Sequence, residues 1–327
     1  MHAAVITAHD APPVYRDYAD PAEATEGSEG SEGGEGSEGA MVVDVLAAGL
    51  HHLTRSKARG SHYSGAGAFP LVPGVDGVVR DASGKLRYVV LDDARLGTFA
   101  ERTVIDPRRS VVLPDGVDPV EIAAAMNPAM SSWVALRRRI DFEEGQRVLV
   151  LGATGSAGGM AIQIAKRFGA SQVIAAGRDT TRLKALTALG ADEVITFDQV
   201  ARAADVDVVI DYVWGEPAAQ AMIPLLTARA ERGAPLTWIQ IGAMAGPLAP
   251  IPSVALRSSR LRIVGSGIGS VPARDFIAEL PELAAAIRDG AVDVRARAVP
   301  LARIAEEWTP GTADARDARD ARVVFVP

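Results

Sequence analysis

The sequence predicts an α/β chain made of a β-rich part and a doubly wound, six-stranded parallel sheet flanked by helices. Three observations carry this. The apolar run Val148–Leu151 enters a glycine-punctuated turn, "GATGSAGG" at 152–159, which opens a helical pattern. Strand-like and helix-like segments then alternate as far as residue 267. Before residue 119, short β-patterned runs are separated by turn residues instead.

Taken in order, the first β runs are "HAAVIT" (2–7) and "MVVDVLAAGL" (41–50). Between them lies "EATEGSEGSEGGEGSEG" (23–39), which carries six Glu residues and has almost nothing to bury. Its glycine spacing lacks the prolines of a collagen helix, so it is expected to be a flexible acidic loop. "GVDGVV", "LRYVVL" and "FAERTVI" complete the β-rich stretch. Helices are expected at Val120–Met126 and Ser132–Arg139, followed by strands from Val148, Val173, Glu193, Asp207, Leu236 and Leu261. Six parallel strands make two mononucleotide-binding halves. A helix follows in "PARDFIAELPELAAAIRDG", and the chain returns as "VVFVP" after the repeat "ADARDARDAR" (313–322), read as an expanded surface connection. The expected domains are 1–118 with 268–327, and 119–267.

The turn at 152–158 is where chemistry is expected. Gly152, Gly155 and Gly158 give a GxxGxxG spacing between a strand and a helix, with Thr154, Ser156 and Ala157 between them. Glycine there lets the backbone approach a pyrophosphate, which meets the N–H groups and positive dipole end of the helix. The second strand of this βαβ unit ends at Gly177–Arg178, where an NAD site places an acid for the ribose 2′-hydroxyl. A guanidinium suits a 2′-phosphate, so Arg178, with Arg182 one turn on, predicts NADPH. Asp179, next door, is the residue that could act as a displaced acid.

Composition narrows the class. The chain has 327 residues, no Cys and a net charge of −7, and six of its acids sit in the one tract. No basic stripe for nucleic acid and no membrane-length apolar run is present, and the start lacks a signal-peptide pattern, so a cytoplasmic protein is expected. His51, His52 and His62 lie within twelve residues, but not at the spacing that puts two imidazoles on one helix face.

The order of "DVLAAGLHHLTRSKARGSHY", "PGVDGVV", "GTFAER", "LPDGVD", "PAMSSWVAL", the glycine turn with "LGADEVI", "DVVIDYVWG", "IQIGAMAG" and "LRIVGSG" resembles the medium-chain dehydrogenase/reductase superfamily, in its zinc-independent quinone oxidoreductase, ζ-crystallin-like branch. The resemblance covers nearly the whole chain. It implies a GroES-like β-rich domain, a Rossmann domain and a homodimer paired through the edge strand at 261–267. It also implies Ser131, Ile241, Gly242, Gly265 and Ser266 near the nicotinamide end. His51 stands where the branch has an Asn, and Tyr63 at its Tyr. The Gly-His-Glu stretch of the zinc enzymes is replaced by "GVDG" with Asp76, so no metal is expected.

Hydride transfer without a Lewis acid favours a conjugated acceptor, a quinone or an α,β-unsaturated carbonyl. Its developing charge spreads to an oxygen that hydrogen-bond donors can stabilise. Tyr63, His51 and His52 are the expected catalytic donors. A zinc-free carbonyl or imine reductase and a non-catalytic NADPH-binding protein stay open as alternatives. Short-chain dehydrogenase chemistry is disfavoured, because no Tyr-x-x-x-Lys pair occurs and the glycine turn lies too far into the chain.

Overall fold

The structure, a computed structural model, describes residues 1–9, 11–21, 39–60, 69–91, 95–309 and 321–327. The acidic tract to residue 38, His62, Tyr63 and positions 313–320 lie outside the described residues. The described chain divides into two compact units, 1–127 with 280–288 and 294–327, and 128–279 with 289–293.

The first unit opens with β1 (His2–Val5), β2 (Val14–Asp17) and β3 (Met41–Gly49), followed by α1 (His52–Ala58). Then come β4 (Asp76–Arg80), β5 (Leu86–Val90), β6 (Arg102–Ile105) and β7 (Ser110–Val112). The β1–β2 pair is antiparallel and separate from a larger sheet. β3 is the spine of that sheet, hydrogen-bonded to β4 and β6 and slipping register between Val45 and Ala47. Its inward side chains, with Phe99, Trp308 and Phe325, form the core of this unit. Phe99 and Phe325 meet edge to face at 5.1 Å between ring centroids, a favoured aromatic geometry.

A long helix, α2 (Pro119–Val134), carries the chain from the first unit to the second. The two expected helices are thus one, running through Pro128, with a wider π-type turn at Ala135–Arg139. Proline removes one helical hydrogen bond. Burial of Ile122–Met126 on one side and Ala129, Met130, Trp133 and Val134 on the other holds the helix together across it.

The second unit runs β8 (Arg147–Leu151), α3 (Ser156–Arg167), β9 (Gln172–Gly177), α4 (Thr180–Ala185), β10 (Glu193–Thr196) and β11 (Val208–Asp211). It continues with α5 (Gly215–Thr227), β12 (Pro235–Gln240), α6 (Ser253–Arg257), β13 (Arg260–Gly265) and the start of α7 (Ala273–Arg288). The sheet is parallel throughout and ordered β10-β9-β8-β11-β12-β13. That is the doubly wound order, with its switch point between β8 and β11. The central strands were legible because strands covered on both faces read as continuous apolar runs. Residues Val148–Leu151 and Val209–Ile210 are fully closed to solvent.

Beyond α7, β14 (Ala296–Pro300), α8 (Ile304–Trp308) and β15 (Arg322–Val326) return to the first unit's sheet, where β15 lies between β14 and β3. Arg322 is a correction to the sequence reading. It closes the repeat read as a surface connection, yet it begins a strand and its guanidinium is buried.

Candidate functional site

The glycine turn is built from three different constraints. Gly152 has φ +81°, a left-handed conformation, and its N–H and that of Ala153 both donate to the Ala176 carbonyl. Gly158 is helical, but a Cβ there would come 2.5 Å from the Gly152 carbonyl oxygen and 2.6 Å from Ala153 Cα. It lets α3 lie against the turn. Gly155 differs: its φ of −82° and ψ of 162° suit any residue, and a Cβ would meet only the Gly152 oxygen, at 3.5 Å. No side chain caps the start of α3, and Gly155 and Ser156 are exposed while Thr154 and Ala157 are half-buried. The fold itself therefore has no use for the missing side chain at Gly155. A diphosphate fits that cradle, because the uncapped N–H groups of a helix start supply the donors an anion needs.

At the end of β9, Gly177 is closed in by Thr154 Cγ2 at 3.0 Å and Leu183 Cδ2 at 3.2 Å from where its Cβ would stand. Arg178 is exposed, and no carboxylate pairs with it among the described residues. Asp179 caps α4, its Oδ1 accepting from the N–H groups of Thr181 at 3.0 Å and Arg182 at 3.1 Å. That carboxylate is committed to the helix.

After β11 the chain is held by a buried carboxylate that the sequence reading passed over. Asp211 Oδ1 accepts from the N–H groups of Val213 at 2.7 Å and Trp214 at 2.9 Å, and Oδ2 accepts from Trp238 Nε1 at 2.9 Å. Burial pushes its pKa up, and these three donors oppose that shift. The turn they hold has Trp214 at φ +51°, rare for a residue with a Cβ. Ile241 and Gly242 donate their N–H groups to the Asp211 carbonyl at 2.8 and 3.1 Å, and Ser266 donates to the Gln240 carbonyl at 2.8 Å. Ser131, on α2, lies 2.9 Å from the Tyr212 hydroxyl. The Gly265 carbonyl accepts from Arg139 Nε at 2.8 Å. The strand ends and turns after β8, β11, β12 and β13 thus carry Gly152, Tyr212, Gly242 and Ser266 on the carboxyl side of the sheet, where doubly wound folds bind ligands.

In the first unit, His51 stands just before α1 with its ring buried, and its side chain makes no capping bond to the helix. Gly49 makes room for it, since a Cβ there would sit 2.6 Å from the His51 Cε1. Nε2 lies 2.8 Å from Asp76 Oδ1, and Nδ1 faces Arg322 Nη2. Tyr88 donates its hydroxyl hydrogen to Asp76 Oδ2 at 2.5 Å. His52 is exposed at the first turn of α1, and Tyr63 lies outside the described residues. Sequence reasoning had no signal for Tyr88 or Arg322. Among the described residues no group of three or more His, Asp or Glu is placed to hold a metal, and no helix is long and apolar enough to cross a membrane.

A family model described as zinc-binding dehydrogenase matches residues 157–286. Over the full length of both chains, the protein is 29% identical to the Emericella nidulans protein named "Probable NADPH-dependent quinone reductase tdiC". It is 30% identical to the 2-methylene-furan-3-one reductase of Solanum lycopersicum across 174 residues, 48% of this chain and 44% of that one. The fold superposes on the quinone oxidoreductase of Thermus thermophilus, solved also in complex with NADPH, with a TM-score of 0.77 at 25% identity and 100% coverage of both chains.

Proposed function

The chain belongs to the medium-chain dehydrogenase/reductase superfamily, in its quinone oxidoreductase branch, and on that premise we propose that it is an NADPH-dependent oxidoreductase reducing quinones or α,β-unsaturated carbonyls without zinc. The observation that carries the reading is the open cradle at Gly155, beside an exposed Arg178 whose neighbouring acid is already committed to α4.

Gly152, Thr154, Gly155, Ser156, Ala157 and Gly158 hold the diphosphate, and Arg178 with Arg182 meets the 2′-phosphate. Ser131, Ile241, Gly242, Gly265 and Ser266 orient the nicotinamide end. NADPH supplies the hydride when bound. Tyr63 and His52 donate hydrogen bonds to the acceptor oxygen as negative charge develops there. His51, expected as a third donor, has both ring nitrogens facing protein partners. In this reading it is a buried residue of the fold ahead of α1 and not a donor to substrate.

The dinucleotide-binding domain of this reading is 119–267, and the substrate domain is 1–118 with 268–327. A cytoplasmic homodimer, paired through the edge strand β13, completes it. The likeness to an enone reductase supports the second acceptor class, and a chain without Cys supports zinc-free chemistry.

Turnover of 1,2-naphthoquinone, an enone and a simple ketone, each with NADPH and with NADH, before and after chelation, tests the proposal. Quinone and enone reduction by NADPH, insensitive to chelator, is expected. Reduction of the ketone alone would make it a carbonyl reductase, and NADPH binding without any turnover would make it a non-catalytic binding protein.

A further inference from the structure

The amino end of the parallel sheet carries a cavity of its own, with a volume of about 380 Å³. β11, β12 and β13 begin there at Val208, Pro235 and Arg260, whereas the glycine turn, Gly242 and Ser266 follow strands at the opposite, carboxyl end. Register explains the lining. Pro235 stands beside Arg260, and Val208, Thr237 and Arg262 stand abreast on three neighbouring strands. Residues two apart on a strand share a face, so both arginines rise from the same side of the sheet. Leu261 and Ile263 turn to the other side and pack against the core that holds Trp238. Ile140 and Asp141, at the end of the π-type turn, and Gln146, just ahead of β8, also line the cavity.

Two features distinguish this cavity. Neither Arg260 nor Arg262 has a carboxylate within ion-pair distance among the described residues, although Asp141 lines the same space. By contrast, Arg137 and Arg138 share Glu279 in the same unit, and Arg202 holds Glu193. Arg262 Nη2 donates to Thr237 Oγ1 at 3.3 Å, and Gln146 Oε1 is already taken by the Glu143 N–H at 3.1 Å. The second feature is the floor, where Ile140, Val208 and Leu236 are buried and apolar.

Two guanidiniums without counterions above an apolar floor are suited to an organic anion. The guanidinium forks hold an oxyanion in paired hydrogen bonds, and the floor receives its hydrocarbon part. Charge selects among such anions. The ionisable side chains that line the cavity are Arg260, Arg262 and Asp141, two positive and one negative, which leaves one net positive charge. A monocarboxylate balances it, whereas a phosphate monoester brings a second negative charge toward Asp141. We propose that this cavity binds an aromatic monocarboxylic acid, with the carboxylate on Arg260 and Arg262 and the ring over Ile140 and Val208. The site stands apart from the cofactor reading and does not depend on it.

Calorimetry on the full chain, without NADPH and then with NADPH in excess, tests this with 2-naphthoate, its neutral counterpart 2-naphthalenemethanol, 2-naphthyl phosphate and acetate. 2-Naphthoate is expected to bind most tightly of the four, with the same affinity in both conditions. The double change Arg260→Ala with Arg262→Ala should weaken it at least about tenfold, the scale of a charge-assisted hydrogen bond, and leave the neutral ring little affected. Asp141→Asn should narrow the gap between naphthoate and naphthyl phosphate. All three side chains are exposed, so melting temperature should hold in both variants. Naphthoate affinity unchanged in the double variant overturns the proposal, as does displacement of naphthoate by NADPH, which would put the probe at the cofactor's end of the sheet. A preference for naphthyl phosphate overturns the charge argument and the proposal with it. Acetate binding as tightly as naphthoate would mean an adventitious ion only, and no naphthoate binding at millimolar concentration overturns the site outright.

Discussion

His51 and Asp76 face each other across 2.8 Å, Nε2 to Oδ1, where solvent reaches neither side chain appreciably. Arg322 closes the other side of the imidazole. Although burial lowers its pKa to about 10, the guanidinium is charged at neutral pH and lies against His51 Nδ1. Tyr88 donates to the other carboxylate oxygen, so both oxygens of Asp76 face buried groups of the same cluster.

Asp76→Asn keeps the volume and removes the negative charge, leaving Arg322 buried without its counterion. Breaking one side of such a pair costs about 3–5 kcal/mol. Urea unfolding should show a loss of that size. The double change Asp76→Asn with Arg322→Leu should recover part of it, because no lone charge then stays behind. Asp76→Asn within about 0.5 kcal/mol of the unmodified protein would mean that the charges are not coupled through His51.

Arg178→Ala tests cofactor choice. Asp179 is held by the N–H groups of Thr181 and Arg182, so it cannot turn to a ribose hydroxyl without uncapping α4. The preference for NADPH over NADH should be about 1.5–3 kcal/mol in catalytic efficiency, the range of charge-assisted hydrogen bonds. The substitution should erase most of it through the NADPH term, with NADH kinetics little changed. Equal efficiency with both cofactors in the unmodified protein would remove the argument.

These two sites differ in how far the sequence revealed them. The glycine turn was legible because its spacing, the strand before it and the helix after it are local, and so was Arg178 at the end of the next strand. The His51 cluster was not. Its members come from positions 51, 76, 88 and 322, and only folding of the sheet brings β4, β5 and β15 to the start of α1. Arg322 is locally indistinguishable from Arg316 and Arg319 of the same repeat. Among the strands, β2, β7 and β14 were missed: β7 is three residues long, and β2 and β14 are mostly exposed or half-buried, so none carries an apolar period. The helices expected at Val120–Met126 and Ser132–Arg139 are one helix through Pro128, because the burial that outweighs the proline's lost hydrogen bond is not local.

The assembly prediction rests on β13. It lies at the end of the six-stranded order, bonded on one side to β12, and Leu261, Ile263 and Val264 are only half-buried. Arg257, Arg260 and Arg262 could guard such an edge, but the apolar centre between them and Gly265 favours pairing with a second copy. Light scattering at micromolar concentration should return twice the 34.1 kDa chain mass. A monomer would refute the edge argument and leave the cofactor site untouched.

The glycines of the turn allow the sharpest separation of fold from binding. Gly158→Ala puts a methyl group 2.5 Å from the Gly152 carbonyl oxygen, a backbone atom that cannot step aside alone. The strain should cost about 1–3 kcal/mol of stability. Gly155→Ser should do the reverse. The backbone at Gly155 already has the extended angles of a helix cap, and the nearest atom to the new Cβ is at 3.5 Å. The serine hydroxyl can accept from the N–H groups at the start of α3, which no side chain caps at present. Melting temperature should hold or rise by a few degrees. The same donors are the ones a diphosphate needs, and the side chain now stands in its way, so NADPH affinity should fall at least tenfold. A Gly155→Ser protein that binds NADPH as tightly as before would place the diphosphate elsewhere. One that unfolds more easily would show that the glycine serves the fold.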